Sequence, residues 1–184
     1  TNREYAAMKL TIYLLVGSAF ALIAVIAIYL YSGVGTFDIP TITAFQQFDI
    51  GFQKFAFFLM MVGFGFLVPM WPMHTWSPDG HVAAPTAVSM LHAGVLMKLG
   101  AYGLLRAGVF FFPEGALYWS PVIAGLCIVN VVYGAMVAMH QKDLKFVIGY
   151  SSVSHMGYVL LGLASMNTVS INGAVAQMFA HGIM

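Results

Sequence analysis

The sequence has very little charge for its length. Only 7% of its 184 residues are Asp, Glu, Lys or Arg, 61% are apolar, and the formal net charge is +1. A soluble domain carries roughly 25% charged residues, and a disordered chain combines high charge with low hydropathy, so both classes are excluded. A nucleic-acid partner is excluded because its binding needs a basic excess. The class that remains is an integral membrane protein.

Cysteine is nearly absent as well. A single residue, Cys127, cannot build a disulfide framework or a cysteine-ligated zinc or iron–sulfur site. The six histidines show no repeated spacing that would present paired haem ligands, and His74 and His81 straddle Pro78. We therefore expect no metal and no cofactor in this chain.

Long apolar runs dominate the rest of the sequence. About 20 predominantly apolar residues suffice for a helix to cross a bilayer. Spans are predicted over 10–31, 55–82, 86–107, 117–140, 145–164 and 169–184, with a linker over 32–54. Prolines 69, 72 and 78 predict that the second span is a broken helix. The predicted fold is all-α: a polytopic transmembrane helix bundle, with residues 1–184 expected to be one membrane-domain fragment of a longer chain.

Lys98 is the most unusual residue of the predicted spans. It lies 12 residues from one end of the span 86–107 and nine from the other. A charged side chain at this depth costs about 3 kcal/mol on insertion scales and usually has a function. Burial favours the neutral amine, so Lys98 is predicted to take up and release protons. The alternative is that Lys98 snorkels to the interface, which its central position makes difficult.

Two later spans also carry polar groups at helical spacing. Ser151, His155 and Tyr158 fall on one helix face at i, i+4 and i+7, and Gln177 and His181 pair at i, i+4. Histidine relays protons near physiological pH. Each histidine could instead make a structural bond between helices, worth about 0.6 kcal/mol. Proton-capable groups on several helices favour a proton relay.

Three segments together resemble a known family. They are PMWPMHTWSPDGHVAAPT (69–86), HAGVLMKLGAYGLLR (92–106) and DLKFVIGYSSVSHMG (143–157). In this order they are similar to motifs of the antiporter-like membrane subunits of respiratory complex I, most of all the chain M or mitochondrial subunit 4 group. The resemblance implies a fragment of an antiporter-like fold of about fourteen helices with inverted repeats. It also implies that Lys98 is the central proton carrier and that His155 and His181 relay protons. Ser151 and Tyr158, which share a helix face with His155, are expected to help this relay.

One position departs from the family pattern. The family usually has a lysine two residues before the proline of the broken helix, where this sequence has Leu67. Proton uptake is then expected to follow another route, for which His74, His81 and His92 are the candidates. His92 replaces a common small or apolar residue and is the candidate substitute.

The resemblance implies a function for the chain in a larger assembly. We expect a proton-translocating membrane-arm subunit of a complex I-type NADH:quinone oxidoreductase, in the bacterial inner (plasma) membrane. This chain would perform no redox chemistry, and NADH, FMN, iron–sulfur clusters and quinone are expected in partner subunits. The partners would be other membrane-arm subunits and the lipid bilayer, with no nucleic acid. The alternatives are a subunit of a multi-subunit cation/proton antiporter or membrane-bound hydrogenase, and a non-pumping scaffold.

Overall fold

The computed structural model describes residues 3–45 and 48–183, and this part of the chain contains helices and loops but no strand. The helices are α1 (Arg3–Ser32), α2 (Ile39–Phe45), α3 (Ile50–Leu67), α4 (Trp76–Ala83), α5 (Thr86–Val109), α6 (Pro113–His140), α7 (Leu144–Ala164) and α8 (Thr168–Ile183). A short 3₁₀ turn, Met73–Thr75, precedes α4. Helices α1, α3, α5, α6 and α7 are long and apolar enough to cross a membrane. Met184, the last residue of the predicted final span, lies outside the described residues.

The all-α prediction is confirmed, but the predicted linker over 32–54 is wrong in part. This segment contains the short helix α2, and α3 already begins at Ile50. The side chains of Asp38 and Asp49 accept hydrogen bonds from the backbone amides of Thr41 and Gly51, at 3.2 and 3.0 Å. Both aspartates of the predicted linker therefore cap helices, since each carboxylate satisfies a backbone amide at a helix N-terminus.

The broken helix is made by α3, the 3₁₀ turn and α4. Helix α3 ends at Leu67, and Pro69 has no amide hydrogen with which to continue it. The last helical bond runs from the amide of Val68 to the Phe64 carbonyl at 2.8 Å. The next carbonyls find other donors: the amide of Met70 bonds to the Gly65 carbonyl at 3.1 Å, and the Trp76 indole bonds to the Phe66 carbonyl at 2.8 Å. Non-helical backbone at membrane depth is stable when its polar groups are satisfied within the protein in this way.

Small residues let the helices approach closely. Helix α3 packs on α1, α5 and α6, and α7 packs on α4, α6 and α8. A Cβ atom added at Gly63 of α3 would lie only 2.7 Å from the backbone nitrogen of Ala21 in α1. One added at Gly134 of α6 would lie 3.0 Å from the backbone nitrogen of Ser154 in α7. These crossings follow the small-residue packing found between membrane helices.

Candidate functional site

Lys98 lies on α5 just after a distortion of that helix. Residues His92–Leu96 form a π-helical turn, as do Leu104–Val109 further on. In the first turn the amide of Met97 bonds to the carbonyl of His92, five residues back, instead of the carbonyl of Ala93. The Lys98 ammonium donates to this released Ala93 carbonyl. Such π-turns are frequent at functional sites, and this one supplies an acceptor for a buried lysine.

His181 of α8 is the second partner of Lys98. The Lys98 Nζ and His181 Nδ1 atoms are 2.5 Å apart, and His181 is only 7% exposed. Helix α8 reaches α5 at Gly94 and Gly182, where a Cβ atom added to either glycine would lie 3.6 Å from the carbonyl oxygen of the other. This close backbone approach brings the imidazole within reach of the ammonium.

His155 of α7 extends the chain of ionisable groups. Its ring centroid lies 5.4 Å from that of His181. The Gln177 amide lies 3.2 Å from His155 Nδ1 and, as an N–H donor, leaves that nitrogen as the acceptor. The Tyr158 ring is 6.3 Å from the His155 ring, although Tyr158 is 52% exposed. Lys98, His181 and His155 thus form a continuous series across three helices.

A cavity of about 490 Å³ opens beside this series, between α4, α5, α7 and α8. Its polar lining consists of His81, Thr86, Ser89, Lys145, Ser151, Ser152, His155 and His181. One water molecule occupies about 30 Å³ in the liquid. The cavity is therefore large enough for a chain of waters that links these groups. The structure places Ser151 here together with His155, on the helix face that their spacing predicts.

The three candidate uptake histidines do not lie together. His74 packs edge-to-face on Tyr133 with ring centroids 5.2 Å apart. His81 and His92 lie side by side with centroids 5.4 Å apart, and His81 Nδ1 is 2.7 Å from the Ser89 hydroxyl. The structure therefore places His81 in the lining of the cavity, with the His92 ring beside it, and leaves His74 outside that lining.

Leu67 occupies the last turn of α3, directly against α5. A Cβ atom added at Gly100 would lie 2.7 Å from the Leu67 Cβ atom, so position 67 faces α5 one half-turn beyond Lys98. Leu67 is half-buried and brings no ionisable group to this point.

Asn130 is a buried polar residue that the sequence analysis did not single out as a site. It is fully buried in α6, and its amide nitrogen donates to the carbonyls of Val153 at 3.1 Å and Pro69 at 3.4 Å. It therefore ties α6 to α7 and to the break after α3. The sequence did contain a signal for this role: an asparagine within a span of high hydropathy usually finds a hydrogen-bond partner on a neighbouring helix.

The fold and the site define a class of protein: a polytopic membrane protein with an interrupted helix and a buried lysine–histidine series. Residues 1–184 match the family described as "NADH:quinone oxidoreductase/Mrp antiporter, TM". The chain belongs to this family, and the resemblance drawn from its motifs is confirmed.

Individual relatives are similar over the whole chain. It is 40% identical to NAD(P)H-quinone oxidoreductase chain 4 2 of Thermosynechococcus vestitus, covering 100% of this chain and 34% of that protein. It is 41% identical to NADH-quinone oxidoreductase subunit M of Rickettsia prowazekii, covering 100% of this chain and 37% of that protein. The chain therefore spans about a third of the length of these curated relatives.

Solved structures share the fold. A chain of respiratory complex I from Thermus thermophilus with bound NADH superposes with a TM-score of 0.89 at 27% identity, covering 100% of this chain and 39% of that chain. A chain of the Mrp complex from Dietzia sp. superposes with a TM-score of 0.85 at 21% identity, covering 97% and 33%. The second similarity concerns the fold alone.

Proposed function

We propose that this chain moves protons across the membrane as part of a membrane-arm subunit of a complex I-type NADH:quinone oxidoreductase. One observation carries the proposal: the Lys98 ammonium lies within a membrane span between the Ala93 carbonyl and His181 Nδ1. An ionisable residue inside a span is a candidate for a proton pathway. The relatives NAD(P)H-quinone oxidoreductase chain 4 and NADH-quinone oxidoreductase subunit M support the assembly proposed.

The proton moves along the series in a definite order. The ammonium of Lys98 donates to His181 Nδ1, so that transfer leaves a neutral amine on Lys98 and an imidazolium at His181. His181 then passes the proton through waters of the cavity, which Ser151 lines, to His155. Tyr158 offers a further hydroxyl group next to His155. Lys98 must be reloaded before the next transfer.

Electron transfer takes place elsewhere in the assembly. NADH, FMN, iron–sulfur clusters and quinone are bound by partner subunits, and this chain contributes no redox group. Its partners are other membrane-arm subunits in a bacterial plasma membrane. A charge or packing change in a neighbouring subunit that favours one protonation state of Lys98 would couple the redox reaction to transport.

Substitution of the lysine tests the proposal. The full-length subunit with Lys98→Met is assembled into the complex and reconstituted in proteoliposomes, and proton uptake is measured per NADH oxidised. We expect uptake to fall at least tenfold. The matched control is Lys142→Met, which removes an exposed lysine of the loop before α7 and should leave uptake unchanged. Normal uptake by the Lys98→Met complex would overturn the proposal and favour a non-pumping scaffold.

A cation/proton antiporter subunit is the second candidate. The family description includes Mrp antiporters, and the fold matches a chain of an Mrp complex. This function predicts exchange of sodium for protons in vesicles without NADH. Dependence of proton movement on NADH oxidation, with no exchange in its absence, would favour the oxidoreductase.

A further inference from the structure

Two buried histidines lie beside the series formed by Lys98, His181 and His155 but are not part of it. His81 of α4 is 1% exposed, His92 of α5 is 8% exposed, and their rings are 5.4 Å apart. The Nε2 atom of each has no hydrogen-bond partner in the described structure. Buried polar atoms are nearly always paired with protein or water. Two adjacent unpaired nitrogens therefore indicate a site that binds something small, such as a proton or a water.

The surroundings of the pair restrict what it can bind. The Trp76 ring covers His92 with centroids 5.2 Å apart, and Ser89 holds His81 through Nδ1. The hydroxyl contact fixes the orientation of the His81 ring and leaves Nε2 free. Two imidazolium ions at this separation in a low-dielectric site repel each other strongly. The pair therefore has room for one positive charge, which either ring can carry.

The pair is connected to the relay on two sides. His81 and Ser89 line the cavity that also contains His155 and His181. His92 begins the π-helical turn in which the Ala93 carbonyl accepts the Lys98 ammonium. Ala93 lines the same cavity, so a proton on His81 can travel through cavity water to the Ala93 carbonyl at which the Lys98 ammonium is held. A change at His92 acts on the same turn of backbone that holds Lys98.

We propose that His81 and His92 together form a one-proton site that loads Lys98. This inference rests on the proposed function, in which Lys98 gives its proton to His181 and must be reloaded. The structure favours this pair over His74, which packs on Tyr133 away from the cavity lining. The ligand is a proton, with water as its carrier.

The test separates protonation from packing at position 92. His92→Gln introduces an amide, which can form hydrogen bonds but cannot bind a proton near neutral pH. His92→Leu can neither form hydrogen bonds through its side chain nor bind a proton. Each variant is built in the full-length subunit of the assembled complex, and proton uptake per NADH oxidised is measured in proteoliposomes. We expect both variants to lose at least fivefold in uptake. His140→Gln, at the exposed end of α6, is the control and should behave as the unaltered complex does.

The outcomes distinguish this inference from the function on which it rests. Normal uptake by His92→Gln, with loss only in His92→Leu, would assign His92 a packing role and overturn the inference. If Lys98→Met abolishes uptake in the same series, the proposed function stands even though the loading site has failed. Normal uptake by Lys98→Met would refute the proposed function itself.

Discussion

The contact between Lys98 and His181 makes the two residues one proton-binding unit. Two unit charges 2.5 Å apart repel by about 7 kcal/mol at an effective dielectric constant of about 20. This energy disfavours the doubly charged pair by about five powers of ten. With a single charge shared between two amines, His181→Lys leaves no imidazole in the pair, and an amine holds a proton more tightly than an imidazole does. The shared proton is then not released, so we expect His181→Lys to abolish proton uptake.

Two comparisons make this prediction discriminating. His181→Gln has no proton to pass on and should also fail, by about 100-fold or more if His181 acts as a positioned acid and base. The exchange variant Lys98→His with His181→Lys again contains one lysine and one histidine, and we expect it to recover a measurable part of the uptake. All variants are compared at equal amounts of assembled complex, as proton uptake per NADH oxidised in proteoliposomes.

The reasoning fails if His181→Lys takes up protons as well as the unaltered complex does. That result would mean that release of the shared proton does not need an imidazole in the pair. An exchange variant no better than His181→Lys alone would contradict the idea that the two residues act as one proton-binding unit.

The remaining predictions concern the helix packing that holds the site. Gly100→Ala should destabilise the complex by about 1–3 kcal/mol through overpacking, because the added methyl group would lie 2.7 Å from the Leu67 Cβ atom. Gly125→Ala is the control: its methyl group would enter open space, so the thermal midpoint should not change. Trp76→Phe removes the 2.8 Å bond to the Phe66 carbonyl and should cost about 1 kcal/mol. A thermal midpoint that does not fall in Trp76→Phe would show that this carbonyl finds another donor.

Much of the architecture could be predicted from the sequence because membrane helices need long apolar runs. The prolines of 69–78 predicted the interruption, and the break indeed falls between Leu67 and Trp76. The short helix α2 could not be predicted in this way, because seven residues capped by Asp38 produce no long apolar run. Its capping aspartate could be interpreted equally well as part of a polar linker.

The site was predictable residue by residue but not as an arrangement. Lys98 and His181 are separated by 83 positions, and only the approach of Gly94 and Gly182 shows that they touch. The same limit applied to Gln177, whose spacing predicted a pair with His181 but whose amide contacts His155 instead. Spacing fixes which residues share a helix face, whereas the partner depends on how neighbouring helices pack.

Backbone irregularity and side-chain polarity are linked throughout this fold. The Phe66 carbonyl, left free by the break after α3, accepts the Trp76 indole, and Asn130 bonds to the Pro69 carbonyl in the same break. The Ala93 carbonyl, left free by the π-helical turn, accepts Lys98. A carbonyl released inside a membrane must find a donor from within the protein, and in these three cases the donor is a side chain. The lysine is thus held by the backbone of its own helix, which leaves His181 free to accept its proton without being needed to keep Lys98 in place.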